Sequence, residues 1–501
     1  MKKNHSLALI VALLFILILV ILLCYLFIRI GIEEEEKVKE EKTITDDSGK
    51  GQTTSYGDGY RFDQNGWIYL HIEGDPYERG KQHGYLVADE LSRIKRSLEY
   101  LTYQNTGMTW DYFVEAGQRV FYNNVNEKTQ EILQEIKGIS DGAKEAGTDI
   151  TWQEIFAWNT YEELTGYWWP TEQEKVYQTI PSQIDKSHCS AFMAVGTHTK
   201  DGKIIVAHNS WDEFSTGQFD NLILDIVPEN GHHMFMQSIA GYIDSMTDYY
   251  VTDAGLVVTE TTMGGFDVYK SGELPEAFRI RMAMQYSDTL DEFTEYMREH
   301  NSGGYANTRL VGDINNNEIM QYELGLKFEN IEKKTDGYFV GANYPHDPRI
   351  RNLESEDTGY RDIRRHQGAR QVRLEQLMEK YKGKIDIEIG KVILADHFDV
   401  YLNVNDNPSS RTIDGHYELD SRQFMSDPSR PIPYQPRGTV DGKVMDTELA
   451  KNLSFVARFG NSSGMPFDAE AFFKEHPQWD DLKGYLFDRP TQSWTLFKSK
   501  E

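Results

Sequence analysis

A chain of 501 residues can hold two or three average domains or one large layered one, and an aromatic content of 12% supplies ample core material. Its formal charge of -28 excludes a nucleic-acid partner, because phosphate binding needs basic patches. An acidic surface of this kind serves solubility first.

Residues 7–28 form an uncharged apolar run long enough to span a bilayer. Lys2 and Lys3 precede it, and Arg29 and then Glu33 to Glu36 follow, so the positive-inside rule keeps the N-terminus in the cytoplasm and exports the remainder. No small-x-small cleavage site ends the run. Residues 1–32 are therefore read as a cytoplasmic tip and a retained signal-anchor, with the following domain outside the cytoplasm, extracellular or lumenal. Residues 33–58, rich in Glu, Lys, Ser, Thr and Gly, read as an acidic flexible tether.

The segment 59–188 reads as mainly helical. A strand at 66–72 leads into a helix from Pro76 to about Tyr100, and helices follow at 109–122, 126–146 and 151–164, with Asn126 and Thr151 as caps. Ile132, Leu133, Ile136 and Ile139 make the apolar stripe of the third. Residues 166–188 carry no period and read as a connector. From Cys189 to the end the pattern changes to short strands at 189–195, 221–227, 233–238 and 255–262, with 309–313 pairing with 318–324 across Asn315-Asn316-Asn317. Helices are expected at 275–300, 362–382 and 386–398, and loops thereafter. Clustered strands flanked by clustered helices predict layered α+β packing over βαβ winding.

Cysteine usage singles out one residue. Of two cysteines, Cys24 lies in the apolar run, which leaves Cys189 as the single thiol of the exported part. Cys189 opens a half-buried strand, Lys200-Asp201-Gly202-Lys203 is a hairpin turn, and the returning strand brings His208, Asn209 and Asp212 near it. If the His188-Cys189 bond opens, the thiol becomes a nucleophile. The freed α-amino group, with an intrinsic pKa of about 7.7–8.0, becomes its base.

Rival motifs fare worse. Gly460-Asn461-Ser462-Ser463-Gly464 fits the G-x-S-x-G elbow, but an acid and a His must follow it, and only about forty residues remain with His476 as the sole candidate. Asp313 to Asn317 resembles the start of an EF-hand loop, yet Glu318 stands where Gly is required and Leu324 where Glu is required. His232-His233, His366 and His397 show no metal-ligand spacing, so no metal and no cofactor are expected. Asn452 and Asn461 head glycosylation sequons that matter only in a cell that glycosylates exports.

The run His188 to Trp211 resembles the nucleophile region of the phospholipase B-like proteins, as do Ser238 to Thr262 and His300 to Asn307. Gly74-Asp75-Pro76-Tyr77-Glu78-Arg79-Gly80 and the stretch 307–326 also resemble the acyl-CoA:6-aminopenicillanic acid acyltransferase-like group. Both groups are N-terminal nucleophile (Ntn) hydrolases. The resemblance implies a four-layer αββα sandwich, self-cleavage before Cys189, and two fragments that stay associated. It implies Cys189 as nucleophile, His208 and Asp212 as orienting groups, Asn307 as oxyanion donor, and Asn209, Trp211 and Thr261 in the substrate pocket. An active-site arginine is expected at Arg458, with Arg279 and Arg309 as alternatives. The chain lacks the further late cysteines of the animal members. The implied activity is hydrolysis of an acyl ester or amide, in a phospholipid or an N-acyl amide or peptide, through a thioester on Cys189. The competing reading is an inactive, membrane-tethered binding module on the same scaffold.

Overall fold

The computed structural model describes residues 13, 15–22, 42–177, 189–423 and 426–499. The chain divides into two compact units, Met1–Lys42 and Thr43–Glu501. In the first, Leu13 and Phe15–Leu22 are helical. Among the described residues no helix is long and apolar enough to cross a membrane. The rest of the expected signal-anchor, and residues 33–41 of the expected tether, lie outside the described residues. Residues 43–58, expected as part of the tether, belong instead to the second unit, where Ile44 bridges Thr495 and Lys50 bridges Gln64, because Ser, Thr and Tyr at 53–56 favour an edge strand over a coil.

In chain order the strands are β1 (Thr54–Tyr56), β2 (Gly59–Gln64), β3 (Trp67–Gly74), β4 (Cys189–Val195), β5 (Ile205–Glu213), β6 (Leu222–Pro228), β7 (Met234–Ser238) and β8 (Tyr250–Thr252). They continue with β9 (Leu256–Thr262), β10 (Asn307–Asp313), β11 (Glu318–Leu324), β12 (Glu329–Lys334), β13 (Gly337–Gly341), β14 (Arg437–Asp446), β15 (Ser454–Phe459) and β16 (Thr495–Lys498). Ten form one sheet in the order β1-β2-β3-β6-β7-β8-β9-β10-β11-β12, and six form a second, β13-β4-β5-β14-β15-β16. Neighbours run antiparallel apart from β3 and β6, which pair in parallel from Ile68↔Leu222 to Gly74↔Pro228. The segment before Cys189 is thus built into the larger sheet.

The two sheets face one another. Phe62, Tyr69, Phe235 and Val257 of the larger pack with Ala191, Met193, Val206 and Phe455 of the smaller in one buried cluster. The outer face of the larger sheet meets helices α1 (Pro76–Leu86), α2 (Ala88–Thr106), α3 (Trp110–Val120), α4 (Gln130–Glu145), α5 (Trp152–Asn159), α6 (Glu276–Tyr286) and α7 (Leu290–Arg298). The outer face of the smaller meets α8 (His366–Lys380) and α9 (Ile387–Leu394), where Leu374, Leu377 and Ile393 cover Phe192, Ile205 and Val444. The layers therefore run helix, sheet, sheet, helix. Residues 437–498, expected as loop, supply β14 to β16. Gly438, Gly442 and the buried Asp441 and Lys443 hide β14 from any search for alternating apolar residues.

Start signals mark Pro76 and Trp152 as helix beginnings, but the single helix expected to about Tyr100 breaks at Val87 into α1 and α2, and the one expected from Asn126 begins at Gln130. Asp75 caps α1 by accepting from the Tyr77 and Glu78 amides, with Pro76 in the first turn, and Thr151 with Glu154 forms the capping box of α5. Helices α1 and α4 carry reciprocal glycines four residues apart. A Cβ on Gly80 or Gly84 would lie 2.1 or 1.9 Å from the carbonyl oxygens of Glu135 or Ile139, and one on Gly138 or Gly142 would lie 2.2 or 2.1 Å from those of Tyr77 or Lys81. Beside this contact Glu135 is buried and paired at 2.8 Å with both Arg79 and Arg281, which ties α1, α4 and α6 together.

Candidate active site

Cys189 is the first residue of β4, 1% exposed, and its side chain shares the inter-sheet face with Ala191 and Met193. Its backbone N–H donates to Asn343 Oδ1 at 3.1 Å, and its carbonyl accepts from Arg370 Nη1. Asn343, in the left-handed region at φ 64°, donates from its amide to the Thr262 carbonyl at 2.9 Å. Arg370 also donates to Ser190 Oγ at 3.1 Å and Asn343 Oδ1 at 2.9 Å, and its guanidinium lies 4.0 Å over the Trp211 ring. Two residues from distant elements thus hold both peptide groups of Cys189.

The thiol points at Glu260, with Sγ 3.9 Å from Oε1. Burial, and then the Glu260 charge, push the thiol pKa well above its ordinary value. Burial, and then Asp248, hold the Glu260 carboxyl well above the usual carboxylate range. Tyr305 stands 3.5 Å from Glu260 Oε1, while Oε2 has no hydrogen-bond partner. Tyr305 also lines a cavity of about 20 Å³ with Tyr242, Met246 and Glu163, room for about one water.

The hairpin forms as the turn residues imply, but in a register that pairs Cys189 with Ser210. Ser210 donates to Asp441 Oδ1 at 2.9 Å and accepts from Lys443 Nζ at 2.6 Å, which places a buried ion pair on β14, one strand beyond β5 from Cys189. His208 pairs with Ala191 rather than with Cys189, and its Nε2 donates to the Glu260 carbonyl at 3.1 Å. Burial and Lys443 keep it neutral, well below its ordinary pKa. Asp212 lies two residues past Ser210, accepts from the Glu213 amide at 2.7 Å, and is pushed up to about 6 by burial against the pull of Arg437.

Asn209 and Trp211, expected in the pocket, occupy the opposite face of β5. Asn209 donates to the carbonyls of Leu394 and Ile413 at 2.9 and 3.0 Å, under the helices. Alternation along the strand decides this, since residues at odd and even positions face opposite ways. Thr261 lies at Gly341 of β13, where a Cβ would come within 2.6 Å of its Oγ1. Asn307 pairs with Thr262, and both polar atoms of its buried side-chain amide lack hydrogen-bond partners. Arg458 is on β15, three strands from β4 and about 14 Å away at ordinary strand spacing, donating to the Ser462 carbonyl. Arg279 donates to Met297 O, and Arg309 is paired with Asp248 and Glu276. The arginine at Cys189 is Arg370, which sequence reasoning missed because a helical Arg carries no local signal. Asn343 carried one, a polar residue suited to positive φ just before Tyr344-Pro345. His188 lies outside the described residues.

The phospholipase B family model matches residues 54–328. The chain belongs to the phospholipase B family. The chain is 24% identical over 344 residues to phospholipase B of Crotalus adamanteus, covering 63% of this chain and 59% of that protein. It is 23% identical to phospholipase B-like 1 of Homo sapiens, covering 56% and 53%. With phospholipase B-like protein B of Dictyostelium discoideum it shares 22% over 85% and 82%. The chain thus spans little more than half the length of the snake and human relatives. Among solved structures, a mutant of conjugated bile acid hydrolase from Clostridium perfringens aligns with 54% of this chain and 89% of that one, at 9% identity and a TM-score of 0.27, an overlap too slight to bear on function.

Proposed function

We propose that this family member is a cysteine-dependent Ntn hydrolase that matures by opening its own backbone before Cys189 and then cleaves an acyl ester or amide bond. The observation that carries the reading is the clasp on residue 189. Its amide and carbonyl are held by Asn343 and Arg370, and its thiol faces a basic carboxylate, Glu260.

Each group has a task in that reading. Glu260, in its ionised form, takes the thiol proton, and Sγ attacks the carbonyl of residue 188. Asn307 steadies the tetrahedral oxygen, a donation worth about 2.7–4 kcal/mol where single oxyanion donors have been removed. The C–N bond breaks, the amine takes a proton, and water hydrolyses the thioester to leave a carboxylate, a free thiol and a free amine. Asn343 Oδ1 then holds the α-amino group that replaces the peptide N–H, and this amine serves as base for substrate. Family membership supports a phospholipid or other acyl substrate, and the apolar run near the N-terminus supports a site outside the cytoplasm.

Intact-mass analysis of purified chain against Cys189→Ala tests this. A fragment beginning at Cys189 in the parent, and none in the variant, is expected. An uncleaved parent that turns over acyl substrate, or a cleaved Cys189→Ala chain, refutes the mechanism.

A further inference from the structure

We propose that the second unit holds a divalent ion of the zinc class between His397, Asp414 and His416, on the helix-covered side of the nucleophile strand. Nε2 of His397 and of His416 stand 3.2 and 3.4 Å from the same oxygen, Asp414 Oδ2, and all three ligand atoms lie within 4.8 Å of one another. Ligands about 2.0–2.2 Å from a tetrahedral centre sit about 3.3–3.6 Å apart, whereas an octahedral edge is nearer 3.0 Å; the 3.4 Å edge falls in the tetrahedral range and the 3.2 Å edge just below it, nearer to that range than to the octahedral value. The two rings meet edge to face, with centroids 5.0 Å apart at 74°.

A second observation concerns the same His416 nitrogen, whose 3.4 Å approach to Asp414 is not aligned as a hydrogen bond. Nε2 of His416 is fully buried with no hydrogen-bond partner, an uncommon state for an imidazole nitrogen 1% exposed. Its other nitrogen, Nδ1, lies 2.8 Å from Glu418 Oε1, the kind of carboxylate contact that orients a metal-ligating imidazole. His397 repeats the pattern more loosely, with Nδ1 3.4 Å from Asp406. Asp414 is oriented in turn by the backbone amides of Ser462 and Ser463, at 3.2 and 2.9 Å.

The position gives the ion a task. The carbonyl next to Asp414, that of Ile413, accepts from Asn209 and from Ser190 Oγ, the residue after Cys189. A cross-link through Asp414 would fix the 397–416 loop and, through Ile413, the back of β4.

The test uses the full chain, stripped with chelator and titrated with Zn²⁺ by calorimetry and with Co²⁺ by visible absorption. One ion per chain, with a tetrahedral Co²⁺ spectrum, is expected. His397→Gln, at the partly open edge of the cluster, should bind at least 100-fold more weakly, and Glu418→Gln about 10–100-fold more weakly. His232→Gln, beside Asp253 and Asp288 elsewhere, should bind like the parent. Absence of saturable one-to-one binding by the stripped parent overturns the proposal, as does His397→Gln binding like the parent. His416→Gln is secondary, because a buried substitution can prevent folding, and His397→Gln decides the matter without it.

Discussion

Replacing Gly84 with Ala tests the packing of α1 on α4. The new Cβ would stand 1.9 Å from the Ile139 carbonyl oxygen and 2.9 Å from the Ala143 amide nitrogen, about 1.5 Å short of the 3.4 Å where ordinary contact begins. Both obstacles are backbone, so no side-chain rotation relieves them and the helices must part. Alanine in a helix interior gains about 1 kcal/mol over glycine. Overpacking costs about 1–3 kcal/mol, and a clash of backbone on backbone belongs at or above the upper end. The expected balance is a loss of about 2 kcal/mol or more, read as a lower urea midpoint with unchanged slope. Gly117→Ala in α3 is the counterpart. Its Cβ would meet nothing closer than Leu164 Cδ1 at 3.5 Å, so the propensity gain stands alone and stability should hold or rise by up to about 1 kcal/mol. If Gly84→Ala stays within about 0.5 kcal/mol of the parent, the reciprocal glycine contact is not what sets the helix spacing.

Arg370→Lys keeps a charge but loses the planar fork that spans Cys189 O and Asn343 Oδ1. A charged hydrogen bond contributes about 1.5–3 kcal/mol, so release of the Cys189 fragment should slow about 10- to 100-fold, followed by timed electrophoresis. Glu260→Gln removes the carboxylate beside the thiol and should slow the same step by about 10²-fold or more, and unchanged timing would take Glu260 out of the mechanism. Asp225 provides a pH test. Burial raises its carboxyl, but hydrogen bonds with His233 and His71 prevail and bring it to about 2. Its stabilising effect is therefore complete above the unfolded value near 3.9 and lost as pH falls through about 2, and acid melts of Asp225→Asn should lack that limb.

Much of the scaffold was legible because it rests on local chemistry. Pro76 in the first turn of α1, the cap at Thr151, the Asp201-Gly202 turn and the apolar stripe of α4 each specify their element without help from elsewhere in the chain. What stayed hidden depends on long-range pairing. β14 carries Asp441 and Lys443 where apolar residues would be expected, because the two neutralise each other between the sheets. The arginine at Cys189 arrives on α8, 181 residues onward, and no spacing announces it. Asn209, expected in the pocket, faces the helices instead, because proximity along a hairpin does not say which side of the strand a residue takes. Cys189 itself stood out through the scarcity of thiols, and that reasoning needed no geometry.

Strand β3 is wedged between β2 and β6, seven backbone pairs deep on its downstream side. A break ahead of residue 189 would leave the upstream piece threaded through the middle of a sheet that the downstream piece completes. Such pieces behave as complementing halves of one molecule, migrating together in native gels and parting only in denaturant. Reassembly from separated halves would be a bimolecular reaction, slow at low concentration, so a nick at that point would be hard to reverse once the halves had parted.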